Sequence, residues 1–265
     1  TPLTYKYFLL LSLMFVFTAN GASKSDLAKE KRWEEQIVPS IMVGEDVKLT
    51  ADGVEFLALY AESTTEHQKG AVILLHGIGV HPAWPDVIEP LRMEMHNSGW
   101  LTLSLQMPIL GNESENKDYA PLFSEVPARI QAGVDFLKDK GIRTILISGH
   151  SLGSTMGSYY LANASDPTVS VFAIMSGGPG VPGDARMDSL GNFKKLNDVA
   201  ILDVYGSEDE ESVRKAVSER RRLSQQFDGR RYQYLEIDGA DHFYRGKQED
   251  LVSELSSSLD KILAP

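Results

Sequence analysis

Thr144-Ile145-Leu146-Ile147-Ser148-Gly149-His150-Ser151-Leu152-Gly153 is the stretch on which the reading of this chain turns. Its first four residues are β-branched or aliphatic without alternation, the pattern of a short central strand buried on both faces. Its last five have the form G-x-S-x-G, which sets a serine on a sharp turn from strand to helix. The glycines two before and two after Ser151 are what such a turn demands, because a side chain at either place would strike the neighbouring strand or helix. A helical pattern follows over residues 154–164, in which Gly157 and Ala162, with Gly153 just before them, leave room for close approach to a sheet. Strand, elbow and helix in this order make Ser151 the candidate nucleophile.

Working outward, the spacing predicts strands near residues 54–60, 71–75, 100–106, 144–147, 169–175, 199–204 and 232–237. Helices are predicted between most of them, over 85–97, 124–140, 154–164, 210–227 and 248–263, with a short one near 188–196. This alternation implies an α/β fold: a doubly wound, mostly parallel sheet of about seven or eight strands with helices on both faces. The segment between the 169–175 strand and the 188 helix is short, which leaves no large lid domain; the acidic loop 109–123 is the candidate for a smaller cover.

The 265 residues suit one domain with a sizeable core. Residues 7–17 are apolar apart from Ser12, follow Lys6 and precede Thr18-Ala19-Asn20-Gly21-Ala22. That pattern predicts a signal peptide over 1–22, then an N-terminal linker or short helix over 23–50 and the folded domain over 51–265. Export to a bacterial periplasm or out of the cell is the expectation, with an uncleaved membrane anchor as the alternative. No membrane span is expected in the mature chain.

With no cysteine, disulfides, thiol nucleophiles and Cys-ligated zinc are excluded. The formal net charge is −11, which disfavours nucleic acid and anionic lipid as partners. The basic cluster Arg220-Arg221-Arg222, with Arg230-Arg231 nearby, reads as a solvated helix face beside the acidic run at 208–211. No histidine or acid spacing resembles a metal site, and no cofactor is expected. Gly178-Pro179-Gly180-Val181-Pro182-Gly183 satisfies G-x-G-x-x-G, but its prolines disrupt the turn into a helix that a pyrophosphate needs, so it reads as a loop.

Open sheets of this kind bind ligands at the carboxyl ends of their strands. Four loops there carry chemistry: His76-Gly77-Ile78-Gly79, the elbow, Gly206-Ser207-Glu208-Asp209 and Gly239-Ala240-Asp241-His242-Phe243. Together and in this order they resemble the α/β-hydrolase superfamily, over nearly all of the chain from about Val54. Within it, the stretches 76–85 and 99–108 resemble a bacterial envelope family of unknown function. The resemblance implies an order Ser…Asp…His, with His242 as the base that takes the Ser151 proton and Asp209 as the acid that orients it. Asp203, inside a predicted strand, is the alternative acid or else a core acid; Asp241 reads as a loop organiser. The oxyanion donors implied are the backbone N–H groups of Ile78 and Leu152.

His81 and Trp84 are candidates for lining an acyl pocket, against simple loop packing. His76 and His150 read as locally packed or hydrogen-bonded. The expectation is a serine hydrolase that cleaves a carboxylic ester in a small acyl substrate through an acyl-enzyme on Ser151. A thioesterase or peptidase would use the same triad. A non-catalytic envelope binding or scaffold protein is the reading from a different class, although such a protein would not need a strained elbow.

Overall fold

The apolar run at 71–75 and its counterparts become the centre of an eight-stranded sheet in the computed structural model, which describes residues 23–164, 166–226 and 231–264. The expected signal at 1–22 lies outside the described residues. The strands are β1 (Glu45–Ala51), β2 (Val54–Ala61), β3 (Gly70–Leu75), β4 (Trp100–Leu105), β5 (Ile145–His150), β6 (Val169–Met175), β7 (Ala200–Gly206) and β8 (Tyr232–Ile237). Their order across the sheet is β1-β2-β4-β3-β5-β6-β7-β8. The two pairs that include β2 are antiparallel; all others are parallel.

The helices are α1 (Leu27–Ile37), α2 (Ile88–Met95), α3 (Val126–Asp139), α4 (Leu152–Asn163), α5 (Ser189–Phe193), α6 (Glu211–Ser224) and α7 (Gln248–Ile262). Alternate residues of the buried strands face two apolar layers, as a period of two requires. Ala71, Ile73 and Leu75 pack with residues of α3, α4 and α5, and Val72 and Leu74 pack with those of α2 and α7 on the opposite face. The sheet is therefore doubly wound.

Residues 45–50, expected within the segment before the domain, form with Ala51 the edge strand β1. Its charged, half-solvated pattern carries little apolar signal, yet its seven residues pair with β2 from Glu45 opposite Tyr60 to Ala51 opposite Val54. The loop at 109–123 is anchored into the core: Tyr119, Leu122 and Phe123 are buried, and Leu110 N donates to Tyr119 Oη at 2.9 Å.

The order in which strands are laid down across the sheet reverses at β3, since β4 lies on one side of it and β5 on the other, both parallel to it. That is the topological switch point where open sheets hold ligands. Register aligns the strand ends there: Leu75 pairs with Gly149, His150 with Met175 and Gly206 with Ile237. The four chemistry-bearing loops thus leave one edge of the sheet.

Candidate active site

Ser151 sits between β5 and α4 at φ 52°, ψ −119°, a conformation that L residues rarely adopt and that costs on the order of 1–3 kcal/mol. Its neighbours hold it there. Ser151 N donates to Met175 O at 2.9 Å, and both Ser154 N (2.9 Å) and Ser154 Oγ (2.6 Å) donate to Ser151 O. The two motif glycines have no alternative: a Cβ at 149 would lie 2.5 Å from Gly153 O, and one at 153 would overlap Leu75 O. Gly157 meets Phe172 in the same way, so α4 lies directly on the sheet.

Across the edge, His242 Nδ1 is 2.8 Å from Asp209 Oδ1 and His242 Nε2 is 3.1 Å from Ser151 Oγ. In neutral His242, the carboxylate accepts a hydrogen bond from Nδ1–H, which keeps the proton on Nδ1 and leaves the Nε2 lone pair facing the serine hydroxyl. Asp209 is itself saturated: Oδ1 also accepts from Glu210 N at 2.8 Å, and Oδ2 accepts from Ser176 Oγ at 2.5 Å and Gly206 N at 3.4 Å. Burial pushes its carboxyl up, but hydrogen bonds from His242 and Ser176 outweigh this and hold it below the usual carboxylate range. Burial likewise pulls His242 down, and the Asp209 bond and charge outweigh it, so the imidazole lies above its ordinary value.

Buried His150 fixes the backbone of this loop, its Nε2 lying 2.9 Å from His242 O. Burial lowers His150 to about 4, so near neutral pH it is uncharged and its Nε2–H donates to that carbonyl.

Leu152 is the first residue of α4, where a helix leaves its N–H without an intrahelical acceptor. Ile78 lies in the turn after β3, and the peptide that carries its N–H is held by buried His76. Met107 N donates to His76 Nε2 at 2.9 Å, which puts the ring proton on Nδ1, and Nδ1–H donates to Gly77 O at 2.8 Å. Burial lowers His76 to about 3, in keeping with a neutral ring. Gly77 C=O and Ile78 N–H belong to one planar trans peptide and point in opposite directions, so fixing the oxygen fixes the amide.

The structure brings Ser151, His242 and Asp209 together and leaves Asp203 out. Asp203 is fully buried and receives Arg220 Nε (2.7 Å), Arg220 Nη2 (3.0 Å) and Tyr232 Oη (2.8 Å). Arg220 therefore departs from the solvated reading of the arginine cluster: charge pattern alone does not show which cation points inward. Arg221 lies over the Tyr234 ring and Arg222 pairs with Glu219; Arg230 is outside the described residues. Asp241 Oδ1 accepts from Phe243 N and Arg245 N, a loop-organising role.

His81 is buried in an aromatic stack, 4.7 Å from the Trp33 ring and 5.3 Å from Trp84. Of the pair offered as a pocket wall, His81 thus lies against Trp33 of α1 and Trp84 packs on the apolar layer of α2 and α7. The 178–183 glycine loop does not open a helix; Gly180 bridges to Asp188 ahead of α5. Among the described residues no group of three or more His, Asp or Glu side chains converges as metal ligands would.

Sequence reasoning missed Ser176 and Tyr244. Ser176, at φ 48°, donates to Asp209 and lies 2.9 Å from Tyr244 Oη, which also reaches Val204 O at 3.2 Å. The available signal was a hydroxyl at the carboxyl end of a parallel strand, followed at once by glycines.

Residues 18–121 match the model of a family described as "Protein of unknown function (DUF3530)". No curated protein matches the sequence. Among solved structures, the fold is similar to Est1E from Butyrivibrio proteoclasticus (TM-score 0.64, 16% identity, covering 83% of this chain and 99% of that one). It is also similar to the Pyrococcus furiosus esterase Pf2001 (TM-score 0.65, 16% identity, 83% and 91%) and to dienelactone hydrolase from Anabaena variabilis (TM-score 0.61, 16% identity, 80% and 94%). At these identities the likeness is one of fold, and the fold is that of the α/β hydrolases.

Proposed function

We propose that this chain of α/β-hydrolase fold is a serine hydrolase that cleaves a carboxylic ester in a small acyl substrate, by way of an acyl-enzyme on Ser151. The observation that carries the reading is the unbroken chain from Ser151 Oγ through His242 to Asp209, at 3.1 and 2.8 Å, with the serine on a strained elbow. In the forward step Ser151 Oγ forms a bond to the carbonyl carbon as its proton passes to His242 Nε2. The resulting oxyanion points at the N–H groups of Ile78 and Leu152, each such donor being worth about 10²–10³ in turnover. Collapse breaks the bond to the leaving alkoxide, which takes the proton from the imidazolium. Water then repeats the sequence, losing its proton to His242, and releases the acid. Asp209 keeps the productive tautomer and balances the transient positive charge.

Residues 1–22 carry the pattern of an export signal, so the site of action in this reading is the periplasm or the medium.

The test is labelling of the purified protein with a fluorophosphonate probe, beside Ser151→Ala and a panel of short and long acyl esters. Labelling of the wild type that disappears in the variant, with kcat lower by several orders of magnitude, is the expected result. Folded wild-type protein that neither labels nor turns over any ester overturns the reading in favour of a binding role.

A further inference from the structure

Helix α1 precedes the first strand and contributes none of the reacting groups, yet its residues Lys29, Glu30 and Trp33 bond or pack against the groups that surround the loop carrying Ile78. Glu30 is buried and takes a forked pair of bonds from buried Arg129, Nη1 to Oε2 at 3.0 Å and Nη2 to Oε1 at 2.9 Å. Arg129 Nη1 also donates to Gln106 O at 2.8 Å. Gln106 C=O and Met107 N–H share one trans peptide, so Arg129 aims the N–H that holds His76 Nε2. His76 in turn holds Gly77 O and so aims Ile78 N–H. The orientation of two peptide planes is thereby referred back to one carboxylate on α1.

Two neighbours on α1 border the same loop, Lys29 from the adjoining 109–112 segment to which it is bonded and Trp33 directly. Lys29 Nζ donates to Leu110 O at 2.9 Å and Asn112 Oδ1 at 2.8 Å, and a Cβ on Gly79 would lie 3.5 Å from it and 3.6 Å from Tyr119 Oη. Trp33, on the next turn, lies against His81 in the loop, their rings tilted by 55°. Ser25 ties the start of the helix down through Glu30 and Ile109 N, and Asp26 N donates to Ile109 O at 2.8 Å.

We propose that α1 braces the loop 77–84, with Glu30 and Lys29 as positioning residues for the Ile78 N–H. The inference rests on Ile78 serving as an oxyanion donor in the function proposed above. A donor displaced by a fraction of an ångström loses part of its effect, and a misplacement of about 1 Å can cost about 10²-fold.

The experiment compares the full chain with Lys29→Met, Lys29→Arg and Glu30→Gln. Amide hydrogen exchange is followed in the loop 77–84, and kcat and KM are measured on p-nitrophenyl acetate. Lys29→Met and Glu30→Gln are expected to speed exchange in the loop about tenfold, with β5 and β6 unchanged, and to lower kcat about tenfold to a hundredfold with KM within twofold. Lys29→Arg keeps its donors and is expected to stay within twofold of wild type in every readout. A role confined to stability would lower the melting temperature and leave kcat and loop exchange alone, which overturns the proposal. Faster exchange with unchanged kcat overturns it too, since the braced loop would then have no part in turnover. If Glu30→Gln fails to fold because Arg129 is left unpaired, the Lys29 pair decides. If wild-type protein turns over no ester, the hydrolase reading falls, and the exchange comparison alone decides whether α1 braces the loop.

Discussion

Replacing Asp209 with asparagine keeps the side chain's shape and removes its charge, and the surroundings dictate which way the amide must sit. The Oδ1 position faces two donors, His242 Nδ1–H and Glu210 N–H, and the second is a backbone group that cannot turn. The Oδ2 position faces the Ser176 hydroxyl, which can rotate to accept, and a distant Gly206 N–H at 3.4 Å. The asparagine therefore keeps its oxygen toward His242, and the tautomer survives. What is lost is the charge that balances the imidazolium. At a separation of about 4 Å and an effective dielectric of about 20, that interaction amounts to about 4 kcal/mol, or about three decades in rate. Because the hydrogen bond persists, kcat/KM should fall by about 10²–10³. The pH profile should also change in a defined direction. Activity requires neutral His242, whose pKa Asp209 lifts above its ordinary value, so the acid limb of kcat/KM should move to lower pH in the variant. The assay is hydrolysis of a short p-nitrophenyl ester across the pH range, with circular dichroism to confirm folding. A loss beyond about 10⁴ with an unmoved limb would mean a reversed tautomer and would refute the orientation argument. A loss below about tenfold would remove Asp209 from the triad.

Two further substitutions separate positioning from stability. Asparagine at 76 keeps an N–H near the Nδ1 position and loses the acceptor for Met107 N, whereas glutamine keeps the acceptor and loses the donor to Gly77 O. His76→Asn should therefore be destabilised by about 1–3 kcal/mol and, with the link to Met107 cut, lose kcat about as much as Glu30→Gln does, while His76→Gln should be less destabilised and lose kcat further with KM unchanged, a pattern read by thermal melts and steady-state kinetics. Arg220→Ala leaves buried Asp203 unbalanced and should cost about 3–5 kcal/mol, a fall in Tm on the order of 10 °C, while the Asp203→Leu/Arg220→Leu double variant recovers most of it; kcat measured well below Tm should change little in either.

The parts of this protein that sequence displays best are those whose physics is local. The run at 144–147 and the glycines at 149 and 153 announce strand, elbow and helix because each constraint acts within a few residues. Asp209 and Asp203 flank the same strand end, and position relative to that strand separates a loop acid from a core acid. Edge strand β1 reads as linker because one side of it is solvated and charged. Long-range polar pairs leave no comparable trace. Glu30 and Arg129 are 99 residues apart and Asp203 and Arg220 are 17 apart, and a charge written in sequence looks the same whether it is paired inside or hydrated outside. Ser176 and Tyr244, 68 residues apart, are of the same kind.

The sheet's aligned strand ends gather residues 29–33, 76–79, 151, 209 and 242 around one edge, so nearly the whole length of the chain must be in place before the site exists. Contacts of such high sequence separation close late and at a large entropic cost. A nascent or truncated chain that ends before His242 has a nucleophile with no base, and one that begins after α1 has a base and a nucleophile with an unbraced loop. In the function proposed, reactivity is thus tied to near-completion: a product of synthesis or proteolysis that lacks α1 or His242 does not carry the full set of groups.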